Sequence, residues 1–230
     1  MKLHHFIINQ NLTIGTMIVN DFEFVHQLKD VLKLKTGEKI VVCDGQGNFG
    51  EAEIMKFGNK EIILELSDIK FQEKRREVNL YCAILKKDNF EWVAQKATEV
   101  GVSKIIPVLT ERTVKTNLNF ERLEKIVREA AEQSERAWLP EVGEIVEFKK
   151  AIKDAKGEKI MFEASGEHSP QPLSICREGG TSVFVGPEGG WSEKEIALAR
   201  ENNFQILSLG KNILRAETAA IVGTWMMINK

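Results

Sequence analysis

Arg215 and Glu217 stand in the run Leu214-Arg215-Ala216-Glu217-Thr218-Ala219, and Glu188 stands among glycines in Gly186-Pro187-Glu188-Gly189-Gly190. An arginine stays protonated at physiological pH, so it can orient a substrate and stabilise negative charge developing on it, while a neighbouring carboxylate can accept a proton. Each carboxylate also has a plain structural use. Glu217 falls in the first turn of an expected helix, where negative charge favours the dipole, and Glu188 can accept hydrogen bonds from backbone amides.

Such residues need a frame. The apolar run Val183-Phe184-Val185 enters the glycine segment as a strand, and Ser192 followed by Glu195 forms a capping box that starts a helix. The glycines let the backbone approach a ligand closely, and Pro187 stiffens the loop. A second strand, Phe204 to Leu207, runs into Ser208-Leu209-Gly210, ahead of the helix that begins near Arg215. Two such loops at strand ends are the layout of a crevice site in an open α/β sheet, here for a nucleotide-like ligand. A P-loop is a poor fit, because no Gly-Lys-Ser or Gly-Lys-Thr follows the glycines.

Gly186-Pro187-Glu188-Gly189-Gly190, Ser208-Leu209-Gly210 and Leu214-Arg215-Ala216-Glu217-Thr218-Ala219 together resemble the linked signature of the RsmE family, ribosomal RNA small-subunit methyltransferases of the SPOUT superfamily. The resemblance implies transfer of a methyl group from S-adenosylmethionine to N3 of one uridine in 16S rRNA, with Arg215 orienting the base and stabilising its developing charge and with Glu188 and Glu217 both open as the proton acceptor. On that reading the backbone of Gly186, Pro187, Glu188, Gly189, Gly190, Ser208, Leu209 and Gly210 grips the cofactor, and Leu209, Ile213 and Leu214 wall the adenine. The family likeness adds Phe162 and Glu163, at the end of another strand. Lys86, Arg112 and Arg136 match recurrent family positions and are candidate RNA contacts, or else partners of neighbours such as Glu111 and Glu132. His26-Gln27-Leu28 and Val31-Leu32-Lys33 lie where the family usually shows His-His-Leu and Val-Leu-Arg. Lysine cannot replace the guanidinium fork, so His26 and Lys33 stand as RNA candidates against the alternative of a solvated helix face.

Composition is that of a globular protein, at 43% hydrophobic and 29% charged residues. No apolar run reaches the roughly 18 residues of a membrane span, and Met1 to Ile8 lacks the features of a signal peptide, which predicts a cytoplasmic protein. Cys43, Cys82 and Cys176 form neither a disulfide framework nor a Cys-x-x-Cys pattern, and His4, His5, His26 and His168 show no ligand spacing, so no metal is expected. The net charge of -2 means that RNA affinity must come from local basic patches.

The first part of the chain reads as short strands with one helix: Ile14 to Val19, a helix Phe22 to Leu32 capped by Asn20 or Asp21, then Lys39 to Cys43, Phe49 to Phe57 and Glu61 to Leu66. Asp44-Gly45 and Gly58-Asn59 supply turns. This pattern predicts a small barrel over residues 1–72, which the resemblance implies to be a PUA-like RNA-binding domain. Glu73-Lys74-Arg75-Arg76-Glu77 reads as a linker with a possible phosphate contact at Arg75 or Arg76.

Residues 73–230 then alternate. The expected elements are strand Val78 to Leu85, a helix capped by Asp88 and closed by Gly101, strand Lys104 to Leu109, helix Phe120 to Arg136, strand Val142 to Val146, helix Phe148 to Ala155 and strand Lys159 to Glu163. Strand Thr181 to Val185, helix Ser192 to Asn202, strand Phe204 to Leu207 and a last helix from Ala216 follow. The fold class is α/β, an open, mostly parallel sheet covered on both faces. Chain rules favour an unknotted path, whereas the resemblance implies a SPOUT trefoil knot in this domain. Trp225-Met226-Met227 reads as core or as the seam of a homodimer, the assembly typical of that superfamily. The competing readings are a SPOUT methyltransferase acting on a ribose 2'-O or another base in tRNA or 23S rRNA, and a non-catalytic RNA-binding module.

Overall fold

The computed structural model describes residues 3–74, 76–86, 88–114, 116–167 and 180–229. Arg75, His168 and Cys176 lie outside the described residues. The chain forms two compact units, Met1–Lys74 with Ala131–Leu139, and Arg75–Ala130 with Pro140–Lys230.

In the first unit, period-two alternation produces the strands β1 (His5–Ile7), β2 (Gly15–Val19), β3 (Lys39–Cys43), β4 (Asn48–Phe57), β5 (Ile62–Leu66) and β6 (Lys70–Phe71). They are ordered β1-β3-β4-β5-β2, with β6 on β4. Only the β1–β3 pair among them is parallel. Ile40, Val42, Ala52, Ile54, Ile62, Leu64 and Leu66 point into one core, which Phe24, Val25 and Leu28 close. The last three come from α1 (Phe22–His26) and a π-helical turn over Gln27–Val31. The Asp21 carboxylate accepts from Phe24 N at 3.1 Å and starts that helix. The expected helix to Leu32 thus exists with its second half widened, since Leu32 N bonds to Gln27 O, and Lys33 leaves it at φ 56°. Strands β1 and β6 went unread because runs of three and two residues hold too little alternation to see.

The second unit begins with β7 (Val78–Ala83), α2 (Asn89–Val100), β8 (Lys104–Leu109) and α3 (Phe120–Gln133). It continues with β9 (Glu141–Val142), β10 (Val146–Glu147), α4 (Phe148–Asp154), β11 (Glu158–Glu167), β12 (Thr181–Val185), α5 (Glu193–Glu201), β13 (Gln205–Leu207) and α6 (Ala216–Ile228). The sheet order is β10-β8-β7-β12-β11-β13, with β9 on β8, and every pair is parallel. All five residues of β12 are buried, as a central parallel strand requires. Phe184 on this strand stacks on Tyr81 at 4.4 Å between centroids and meets the ring edges of Phe148 and Phe204. Burying such a ring contributes about 1.5–3 kcal/mol.

Three local expectations change. Asp88 occupies the N-cap of α2, but with φ -96° and ψ 7° its side chain makes no capping bond. The expected helix to Arg136 ends at Gln133, because Glu135 takes φ 57° and Arg136 N turns back to Ala131 O. The expected strand Val142 to Val146 is instead the separate pair β9 and β10, each paired with β8. Gly101, at φ 114°, closes α2 in the left-handed conformation read from the sequence.

Candidate functional site

Strand β12 ends at Val185, and the glycine segment that follows is held by its own hydrogen bonds. Gly190 N donates to Pro187 O at 2.9 Å, closing a turn, and Gly190 itself takes φ 69°. The buried Trp191 indole donates from Nε1 to Phe162 O at 3.0 Å, tying the loop to β11. Gly186 faces that indole so closely that a Cβ there would lie 3.0 Å from Cε2. The capping box is present: Ser192 N donates to Glu195 Oε2 at 2.8 Å, and Glu195 N to Ser192 Oγ at 3.3 Å. The other Glu195 oxygen accepts from Glu111 N at 2.9 Å, so one buried carboxylate fixes both the start of α5 and the turn after β8.

The second loop closes on itself. Ser208 Oγ donates to Gly210 O at 2.8 Å, and Gly210 takes φ 143°. Arg215 follows as the exposed N-cap residue of α6, with Glu217 in the first turn. Between the two loops lies a cavity of about 550 Å³, within the usual range for a small-molecule site.

The cavity gathers most of the residues nominated from sequence. Phe162, Glu163, Gly186, Pro187, Glu188, Gly190, Ser208, Leu209, Ile213, Leu214, Arg215 and Glu217 line it, whereas Gly189 and Gly210 do not. Gly189 has an ordinary backbone conformation, and a Cβ on it would meet the Arg112 side chain at 3.5 Å. Glu188 accepts from Lys86 N at 2.8 Å through Oε1. Arg112 donates from Nη1 to Gly189 O at 2.7 Å. Lys86 and Arg112 thus lie on the loops that clamp the glycine segment, outside the cavity lining. The other three RNA candidates belong to the first unit, where His26 pairs with Asp30 at 2.8 Å on an exposed helix face.

The cavity also includes residues that sequence reasoning missed: Asn89, Ala164, Val185, Trp191, Asn212, Ala216 and Ala219. Trp191 could have been found, since it directly follows the glycines. Asn89 carries no local signal; it arrives because β7 lies beside β12 and delivers the start of α2 to the same end of the sheet. Beneath them Cys82 is fully buried, and burial, with the carboxylates of Glu188 and Glu217, pushes its thiol pKa well above the ordinary range. It remains a neutral thiol at physiological pH. Among the described residues no group of three or more His, Cys, Asp or Glu could hold a metal, and no helix is long and apolar enough to cross a membrane.

Comparison with known proteins agrees with this architecture. Residues 72–227 match the model of an RNA methyltransferase domain, and residues 25–67 that of an RNA methyltransferase PUA domain. The chain is 36% identical to ribosomal RNA small subunit methyltransferase E of Synechocystis sp., over 86% of this chain and 68% of that one. It is 34% identical to the Rickettsia conorii protein of the same name, over 96% and 93% of the two chains. The crystal structure of ribosomal RNA small subunit methyltransferase E from Neisseria gonorrhoeae, bound to S-adenosyl methionine, superposes with a TM-score of 0.89 at 29% identity, covering 97% of this chain and 95% of that one. With the methyltransferase model spanning more than half its length and close relatives matched over most of theirs, the chain belongs to the RsmE family of RNA methyltransferases.

Proposed function

We propose that this protein is an S-adenosylmethionine-dependent methyltransferase of the small ribosomal subunit, and that it methylates N3 of one uridine in 16S rRNA. The observation that carries the reading is the cavity between the two glycine loops, in a chain similar from end to end to small-subunit methyltransferases. Its lining suits the cofactor. Leu209, Ile213, Leu214 and Ala219 form an apolar wall for a purine, and the carboxylates of Glu163, Glu188 and Glu217 favour a cationic group. Bound there, S-adenosylmethionine would supply a methyl group already activated by the sulfonium, leaving the protein the task of orientation.

Arg215, exposed at the N-cap of α6, orients the uracil and stabilises the negative charge that appears on the ring as the N3 proton leaves. Glu188 has one carboxylate oxygen committed to Lys86 N, so its role is to hold the glycine loop. Glu217 is then assigned as proton acceptor. Cofactor grip falls to Phe162, Glu163, Gly186, Pro187, Gly190, Ser208 and Leu209, with Gly189 and Gly210 shaping the loops. Residues 1–72 are assigned as a PUA-like RNA-binding domain and residues 73–230 as the methyltransferase domain, carrying a trefoil knot of the SPOUT type. His26, Lys33, Lys86, Arg112 and Arg136 are the proposed RNA contacts. The half-exposed Trp225 on the apolar helix α6 supports a homodimer seam, and a cytoplasmic location follows from a ribosomal substrate.

The test is methyl transfer from labelled S-adenosylmethionine to 30S subunits lacking the modification, followed by mass mapping. A single 3-methyluridine in 16S rRNA is expected. Transfer only to tRNA or to 50S subunits would overturn the substrate assignment while keeping the cofactor.

A further inference from the structure

The glycine loop is gripped from outside by a residue that also faces solvent. Arg112 sits in a turn fixed at several points: Thr113 N donates to Thr110 O at 3.1 Å, Thr110 N to Thr113 Oγ1 at 3.0 Å, and Glu111 N to the buried Glu195 carboxylate at 2.9 Å. From this rigid base one guanidinium nitrogen reaches Gly189 O at 2.7 Å. That carbonyl belongs to the same peptide as Gly190 N, which bonds to Pro187 O, and Gly190 then lines the cavity at φ 69°. Arg112 therefore sets the plane of the peptide that completes the cavity wall. Among the described residues the Gly189 carbonyl is the one acceptor that meets the guanidinium, and Arg112 is exposed. A guanidinium carries five N–H donors in a fixed fork, so donors remain for a phosphate. Lys86, exposed on the loop that grips Glu188 from its backbone N, adds a second cation beside the same segment.

We propose that Arg112 couples RNA binding to cofactor binding, with one edge of its guanidinium on the Gly189 carbonyl and the other on an RNA phosphate. Hydrogen bonds in a chain polarise one another, and a phosphate that holds the guanidinium in place also holds the peptide ending at Gly190. The coupling is reciprocal: RNA tightens the cofactor site, and cofactor tightens RNA to the same degree. Arg112 acts as a positioning residue, through Gly189 and Gly190. The inference rests on the functional reading above.

Equilibrium dialysis with labelled S-adenosylhomocysteine, which cannot react, tests it on the full-length protein with and without saturating unmodified 30S subunits. In the wild type, 30S subunits should tighten binding by about 5-fold or more, the lower range of measured couplings. Arg112→Ala should reduce that factor to below about 2-fold. Arg112→Lys should retain 30S affinity, because a point charge still meets phosphate, yet lose the coupling, because lysine lacks the planar fork. A wild-type factor near one, or an undiminished factor in either variant, overturns the proposal. Failure of the wild type to methylate 30S subunits at all is a separate outcome, which overturns the functional reading instead.

Discussion

The glycines of the 186–190 loop have three different physical reasons to be glycine, and single alanine substitutions separate them. Gly190 sits at φ 69° with only ordinary contacts near its missing Cβ, so an added methyl meets no obstacle and the whole penalty is conformational. A left-handed L residue costs about 1–2 kcal/mol. The peptide is held by the bond from Gly190 N to Pro187 O and by Arg112 on Gly189 O, so strain at Gly190 distorts a peptide that completes the cavity wall, and the cost then appears at binding. Each 1.4 kcal/mol is a factor of ten, so S-adenosylmethionine affinity should fall about 5- to 30-fold in Gly190→Ala. Gly189→Ala places a methyl 3.5 Å from Arg112, an ordinary contact at an ordinary φ, and should change affinity by no more than about 2-fold. Gly186→Ala pushes a methyl against the Trp191 indole, 3.0 Å away, which is held by its bond to Phe162 O. Overpacking of this kind costs about 1–3 kcal/mol of stability. The corresponding fall in melting temperature is about 2–12 °C. Calorimetric titration with S-adenosylmethionine and thermal unfolding of the three variants provide the readouts. Equal affinity losses for Gly189→Ala and Gly190→Ala would refute the conformational argument and show that bare backbone approach is what matters at every glycine.

Arg215→Ala should lower turnover on 30S subunits by about 10²–10³-fold, the usual cost of removing a charge-stabilising donor, while cofactor affinity in the same titration changes little. Near-normal turnover would remove Arg215 from the mechanism. Trp191→Phe leaves the Phe162 carbonyl without its donor and should cost about 1–3 kcal/mol in urea unfolding; an unchanged midpoint would mean that the bond adds nothing. Burial lifts the Cys43 thiol from 9.0 to about 12 and raises Cys82 as well. For an acid whose folded pKa is raised, stability is fully present below the unfolded value and declines as pH rises through the interval above it. The urea midpoint should therefore drop between pH 8 and pH 10.5, and less so in a Cys43→Ala, Cys82→Ala double variant. An equal drop in both proteins would assign the alkaline loss to other groups.

Much of the site could be read in the chain because its parts are local. The Ser192 and Glu195 capping box spans one helical turn, Gly101 closes α2 by its own backbone freedom, and Thr181 to Val185 is a short strand ending in the apolar run Val183-Phe184-Val185; all three are in place. The glycines were legible as close-approach residues, but their separate reasons were not. Gly186 answers to Trp191 and Gly189 lies against Arg112, and these are contacts across the fold. Segment Ala131–Leu139 was equally opaque. Read as the end of a helix in the second domain, it packs within the first unit, where Ala131 and Ala137 join Ile7 and Cys43, because Glu135 turns the chain at φ 57°.

By itself the sequence determined the alternation of elements, the parallel sheet, the two glycine loops and the family, since period, caps and linked motifs are properties of residues near one another in the chain. Only the tertiary structure decided which distant residues complete the cavity. Strand order sets β12 between β7 and β11, so Asn89 and Phe162 arrive beside Gly186. It also decided that Glu188 takes Lys86 N and that Arg112 holds Gly189 O, bonds across 102 and 77 residues of chain. No periodicity encodes such partners, because hydrogen bonds over that separation depend on the strand order that brings the loops together.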